Sequence, residues 1–364
     1  MILRNKFIPL PLFTHSGTLL WLLIAFGFSS CSKDDDGPAP LPAGYDGGKG
    51  FYVINEGNFG GGNGSLTYFS DQQNKSYQDV FRSVNGNILG DTPTDMVLFN
   101  DSAAICVNVS GKVELVYLPT MQRIGSVENL PSPRKVLSIG KNLYVSDLST
   151  GVIHIINKAS MQKSGEILTG RAVEQMVWNG EYLYAACWSN FFVSGNNNAI
   201  LKIDVGMSVV IDSLVLTREP NSLVLEGTQA LWVLCSGGYL YEEVPALYRI
   251  DLGTFSVDRR MDFVQGTDYP SALCANGGSL FYLNGGSVWK LDPASTSLPS
   301  SPFFSGGSYL YNLGADPDGS RVIVTDARDF QSRGAIFVLD QAGSLVHSME
   351  GGIAPSVIRF RDTD

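Results

Sequence analysis

Basic residues are scarce in this 364-residue chain: 25 Lys+Arg stand against 35 Asp+Glu, a formal charge of −10. Phosphate recognition relies on clustered positive charge, so the balance argues against nucleic acid as a partner. Charged residues of either sign reach only 16%, which fits neither charge-rich disorder nor a coiled coil. Histidine is scarcer still, three in all. His15 falls in the N-terminal leader, while His154 and His347 sit in alternating strand sequence with no Asp/Glu/Cys group at metal-ligand spacing. Both read as ordinary strand residues, and no catalytic or metal site is expected. Cys106, Cys187, Cys235 and Cys274 form no CxxC or zinc pattern and read as buried free thiols beside strands. Helical periodicity is absent. The run Gly57 to Gly64 invites a phosphate cradle, but it lies between two strand patterns with no helix following, so a long hairpin loop is the better account.

No apolar run is long enough to cross a bilayer core of roughly 30 Å. The longest near the N-terminus, Leu19 to Phe28, follows Arg4 and Lys6 and ends in Ser29-Ser30-Cys31. That is the pattern of a signal peptide over residues 1–30 with a lipoprotein cleavage site, leaving Cys31 as the first, lipidated residue. Residues 31–50 carry too little apolar surface to fold and read as a tether. Within it, Ser32-Lys33-Asp34-Asp35-Asp36 is similar to the acidic tag that sends some lipoproteins to the outer face of the outer membrane.

What is abundant is Gly, 40 residues, and apolar side chains, 44%. They are arranged periodically. Strand ends at Phe69-Ser70, Tyr117-Leu118, Ile156-Asn157, Ile203-Asp204, Ile250-Asp251, Leu291-Asp292 and Leu339-Asp340 recur every 39 to 48 residues. Five of the seven place Asp or Asn where its side chain can cap the backbone two residues on. A second ruler, Pro93, Pro133, Glu174, Pro220, Pro270, Asn312 and Pro355, runs in phase with the first at 40 to 50 residues. Each unit holds about four short strands between Gly, Asn or Asp turns. Four-stranded units of this length stacked radially define a β-propeller, all-β, with short protected sheet edges. Seven units fit a single domain over residues 51–364. The first unit shows three strands, around Phe51 to Ile54, Ser65 to Phe69 and Tyr77 to Phe81; its missing inner strand is expected from Ser356 to Phe360, closing the ring by pairing both termini.

In such a ring the second-to-third strand loops and the interblade loops share one face, and loops on a rigid scaffold carry binding. Four second-to-third loops are long: Asn55 to Gly64, Cys187 to Ala199, Cys235 to Ala246 and Asp326 to Gly334. They bring Phe59, Trp188, Phe191, Phe192, Tyr239, Tyr241 and Phe330 to that face, and the interblade loops add Tyr269, Tyr309 and Tyr311. Some of these aromatics pack loops against one another; the remainder form a patch of the kind that marks a binding surface. Arg171, Arg218, Arg328 and Arg333 fall there too, each equally suited to a loop salt bridge. Asn58, Asn190, Asn196 and Arg328 supply polar edges.

The opening Phe51-Tyr52-Val53-Ile54-Asn55-Glu56-Gly57-Asn58-Phe59, followed by Asn63-Gly64-Ser65-Leu66, resembles the start of YncE-like propeller lipoproteins and, among them, the BtuG-type surface proteins. The resemblance extends over roughly 51–360 and the leader. It implies a lipid-anchored, seven-bladed propeller seated on a TonB-dependent outer-membrane barrel, capturing cobalamin or cobinamide and passing it on. The ligand-binding residues expected from the loops are Asn58, Phe59, Trp188, Asn190, Phe191, Tyr239, Tyr241, Tyr269, Tyr311, Arg328 and Phe330. Two other readings stand beside capture: a cell-surface scaffold for a protein or glycan, and a lactonase- or lyase-like propeller enzyme, which would need clustered carboxylates or His on the axial face.

Overall fold

The computed structural model describes residues 44–189, 197–276 and 278–361. They form seven four-stranded antiparallel sheets. The inner strands, in blade order from the second, are Pro93–Phe99, Pro133–Ile139, Val173–Trp178, Pro220–Glu226, Ser271–Asn276 and Leu310–Ala315. Blade 1 takes its inner strand, Pro355–Arg361, from the far end of the chain, followed outward by Gly50–Asn55, Ser65–Ser70 and Lys75–Tyr77. Phe51 lies opposite Phe360 and Val53 opposite Ile358, so the ring closes by the expected pairing of the termini. Each inner strand lies against the inner strands of both neighbouring blades, and Pro355–Arg361 against Pro93–Phe99 completes the circle.

The sheets are held by apolar layers between them. Trp232, Leu234 and Leu247 of blade 5 pack on Leu280, Tyr282 and Leu291 of blade 6, all at most 2% exposed. Strands read as near-continuous apolar runs because each sheet is covered on both faces. At the lower end of the blades the Asp and Asn residues cap their hairpins as expected. The Asn157 side chain accepts from the amides of Ala159 and Ser160 at 3.0 Å, Asp204 from Met207 at 2.9 Å and Asp251 from Thr254 at 2.8 Å. Asp292 and Asp340 do the same for Ala294 and Ala342.

Three expectations need correction. The third strand of blade 1 ends at Tyr77, and Val80–Asn85 is an α-helix. Val80, Phe81 and Val84 are one helical face, and burying them between blades 1 and 2 outweighs the weak local pattern. Residues 44–50, expected as the end of the tether, are packed on the ring: Tyr45 is buried, and its hydroxyl donates to the Leu118 carbonyl at 2.8 Å. Asp46 accepts from Tyr68 and Ser70 at 2.7 and 2.9 Å, so residues 44–49 strap blade 1 to blade 2. In the second ruler, Val173 and Leu310 occupy the positions of Pro93 and Pro133, with Glu174 and Asn312 one and two residues beyond. The signal peptide, Cys31 and the acidic tag lie outside the described residues.

Candidate functional site

Every inner strand slips in register against its neighbour: after Pro93, Pro133, Val173, Pro220, Ser271 and Leu310, and opposite Val53 to Asn55 in blade 1. Six of these slips fall at the start of the inner strand, and that of blade 1 falls just beyond Pro355. Such β-bulges re-aim side chains that a regular strand would bury between sheets. Here the bulged stretches contribute Arg134, Lys135, Glu174, Gln175, Asn221 and Tyr311 to the lining of an axial channel of about 770 Å³, with Glu56 at its mouth.

The mouth is charged and internally paired. The Nε and Nη2 of Arg134 donate to the two carboxylate oxygens of Glu174 at 2.7 and 2.9 Å. Lys135 Nζ stands 3.7 Å from the same carboxylate and donates to the Thr94 carbonyl at 3.0 Å. Burial alone would raise the Glu174 pKa, but the Arg134 and Lys135 charges hold it below its ordinary value. Glu56 goes the other way: burial raises it, Arg134 opposing, while Tyr311 donates its hydroxyl to Oε2 at 3.0 Å. Burial, then the nearby Glu56 charge, pushes the Tyr311 phenol well up, so it stays a donor. Elsewhere on the channel wall Arg359 pairs with Asp95 and donates to the Met96 carbonyl at 2.6 Å.

Two aromatic groups flank this mouth. On one side Trp188 lies 6.2 Å from Tyr239, Tyr239 6.4 Å from Tyr269 and Tyr269 6.1 Å from Tyr241. On the other, Tyr309, Tyr311 and Phe330 meet at 5.0 to 6.5 Å, two of the three contacts edge-on. Arg134 links them, its guanidinium 5.8 Å from the Trp188 ring and its field reaching Glu56 and Tyr311. Tyr239, Tyr241, Tyr269 and Tyr309 remain 36 to 53% exposed.

The opening motif has a structural meaning. Asn55 is buried, donating to Ser65 and Thr67 and accepting from the Gly352 amide. At Gly57 the backbone turns at φ +76°, and a Cβ would meet Asn63 Oδ1 at 2.4 Å. Asn58 then donates to the Phe330 carbonyl at 2.8 Å, joining the long loops of blades 1 and 7.

The structure thus brings together Trp188, Tyr239, Tyr241 and Tyr269 as one group, and Tyr311, Phe330 and Asn58 as another. Tyr311 lies in the inner strand of blade 7 and not in a loop. Phe59 stands at a loop tip, 83% exposed and without a ring contact among the described residues. Arg328 braces its own loop by donating to the Arg333 carbonyl at 3.0 Å. Asn190, Phe191, Phe192 and Asn196 lie outside the described residues. Arg134, Lys135 and Glu56 were not singled out by sequence; their signal was their position one or two residues past a ruler proline or next to the motif Asn. Glu219 was missed as well. Fully buried at φ +57°, it accepts from Ser189 and Asn197, tying both stems of the blade 4 loop beside the first aromatic group. The four thiols beyond Cys31 are free, with Cys106, Cys187 and Cys235 buried; burial pushes Cys187 up to about 12. Among the described residues no His/Cys/Asp/Glu group is arranged to hold a metal, and no helix is long and apolar enough to cross a membrane.

These features define a seven-bladed β-propeller with an aromatic-flanked channel mouth. The chain belongs to the family of the domain of unknown function DUF5074, whose profile matches residues 49–336. No curated protein matches it in sequence. Its fold is similar to that of a quinonprotein alcohol dehydrogenase-like protein from Bacteroides thetaiotaomicron, with a TM-score of 0.66 at 15% identity over 87% of this chain and 79% of that one. It is also similar to a candidate 6-phosphogluconolactonase from Bacteroides fragilis, with a TM-score of 0.65 at 15% identity over 88% and 100%. At such identities the likeness is one of fold.

Proposed function

We propose that this protein is a non-enzymatic ligand-capture lipoprotein, anchored through Cys31 and displayed on the outer face of the outer membrane. Its ligand is a small molecule with a broad flat face, a corrinoid such as cobalamin or cobinamide first, handed on to a TonB-dependent transporter. The observation that carries the reading is the pair of aromatic groups flanking the channel mouth, of which Tyr239, Tyr241, Tyr269 and Tyr309 stay 36 to 53% exposed. Aromatic rings left in water on a concave, polar-floored face are the usual mark of a binding site. A planar ring fringed with amides suits such walls. The opening motif and the leader support the corrinoid and the anchor. Capture is favoured over catalysis because the carboxylates at the mouth are engaged, Glu174 by Arg134 and Glu56 by Tyr311.

Calorimetry of the purified protein with cyanocobalamin and with cobinamide tests this directly. Heat from either at micromolar concentration is expected. No heat with either would remove the corrinoid and favour a scaffold for a protein or glycan. For the anchor, Cys31→Ala should leave an unlipidated precursor, and deletion of Ser32 to Asp36 should turn the protein inward, which protease shaving of intact cells reads out.

A further inference from the structure

Resting on the capture reading, we infer that the ligand group seated at the channel mouth is uncharged: a carboxamide or hydroxyl edge, and neither a carboxylate, a phosphate nor an ammonium.

The cations that reach the mouth are already committed. Arg134 spends its fork on Glu174 at 2.7 and 2.9 Å, and Lys135 lies between that carboxylate at 3.7 Å and the Thr94 carbonyl at 3.0 Å. Elsewhere on the channel wall, Arg359 is held by Asp95 and the Met96 carbonyl. An anion approaching Arg134 therefore meets Glu174 and Glu56 at the same time, in a partly desolvated cleft where like charges repel strongly. An ammonium meets Arg134 and Lys135. Breaking the Arg134–Glu174 pair to free either member would leave the other buried and alone.

What remains around the charge pairs is neutral and hydrogen-bonding. Asn221, Ser222, Ser271 and Asn312 line the channel beside the pairs, and tyrosine hydroxyls stand on the flanking rings. Asn221 already donates to the Pro270 carbonyl at 2.9 Å and Asn312 accepts from the Leu313 amide at 2.8 Å. Amides and hydroxyls keep further donor and acceptor sites, so a neutral ligand with a flat face and amide or hydroxyl edges can bond to them without disturbing any ion pair. Two sources share that chemistry, an amide-fringed macrocycle and a neutral oligosaccharide.

The test uses the full-length protein and matched pairs of probes. Cyanocobalamin is compared with its monocarboxylic acid, in which one side-chain amide is hydrolysed, and a neutral hexose oligomer with the corresponding uronic acid oligomer. At least one neutral member should bind, with Kd changing less than about twofold between about 20 and about 500 mM NaCl. Its acid should bind at least about tenfold more weakly. The pair that gives heat identifies the source. Tighter binding of an acid, a strongly salt-dependent Kd, or no binding by any neutral member overturns the inference. Neutral binding that survives both Trp188→Ala and Tyr311→Phe rejects the face, and with it the capture site itself, a failure distinct from anion preference at an intact face.

Discussion

Arg134 and Glu174 stand at the same point of two successive repeats, one residue past Pro133 and Val173, and meet across the blade 3 to blade 4 boundary at 2.7 and 2.9 Å. Their side chains are 19 and 8% exposed. Removing one partner of such a pair strands the other, at about 3–5 kcal/mol. Glu174→Met should cost more than Arg134→Met, because it leaves two cations where the arginine change leaves Lys135 beside the carboxylate. The double variant should be more stable than the sum of the singles predicts. Urea denaturation of all four proteins checks it, and strict additivity would show that the two residues do not interact.

Acid sensitivity should trace in part to Asp147. It is buried, and although burial alone would raise its pKa, the His154 ring nitrogen and the amides of Ser132 and Ser149 hold it well below its ordinary 3.8. A carboxylate depressed in the folded state stabilises fully above its unfolded pKa and loses that contribution as pH falls through the folded one. Asp147→Asn should therefore cost about 2 kcal/mol at neutral pH and flatten the fall in stability below about pH 4. An unchanged slope in pH-dependent denaturation would place the acid response elsewhere.

The strap makes a further prediction. Tyr45 packs edge-on against Tyr68 and Tyr77, with ring centroids at 5.1 and 6.2 Å, and binds the lower turn of blade 2 through Leu118. Tyr45→Ala should cost about 3 kcal/mol and Tyr45→Phe about 1 kcal/mol, measured by urea denaturation of the chain from Ser32 onward. Losses near zero for both would mean that the strap hangs free in solution. Because Leu118 and Ser70 belong to lower turns, residues 44–49 lie on the face opposite the aromatic groups.

The fold was legible because its signals are local and repeated. The Asx turns at Asn157, Asp204 and Asp251 each depend on three or four adjacent residues, and their recurrence at five of the seven strand ends exposes the period. The short helix Val80–Asn85 escaped because six residues carry too little periodicity to be told from a strand. Loop aromatics such as Trp188 and Tyr241 were legible since they lie off the strands. Arg134 and Glu174 were not, because each looks like an ordinary strand residue until a bulge turns it into the channel, and their contact spans two blades. Glu56 was quoted within a motif, but its role depends on Tyr311, 255 residues away.

The aromatic groups give the sharpest contrast. Trp188 touches both Tyr239 and Arg134, at 6.2 and 5.8 Å, and Tyr241 closes its group through Tyr269. Each offers a partly exposed ring beside a fixed polar neighbour, the arrangement of an anchor, whereas Phe59 projects alone. Trp188→Ala and Tyr241→Ala should each weaken binding of cyanocobalamin by about 1–3 kcal/mol. Phe59→Ala should change it by less than about 0.5 kcal/mol, as expected of a peripheral contact. His154→Ala should also leave affinity intact, since the residue is buried beside Asp147 away from the mouth, although it should lower stability. Calorimetry on folded samples, matched by circular dichroism, separates these effects. Binding that depends on Phe59 and ignores Trp188 would move the site from the channel mouth to the tip of the blade 1 loop.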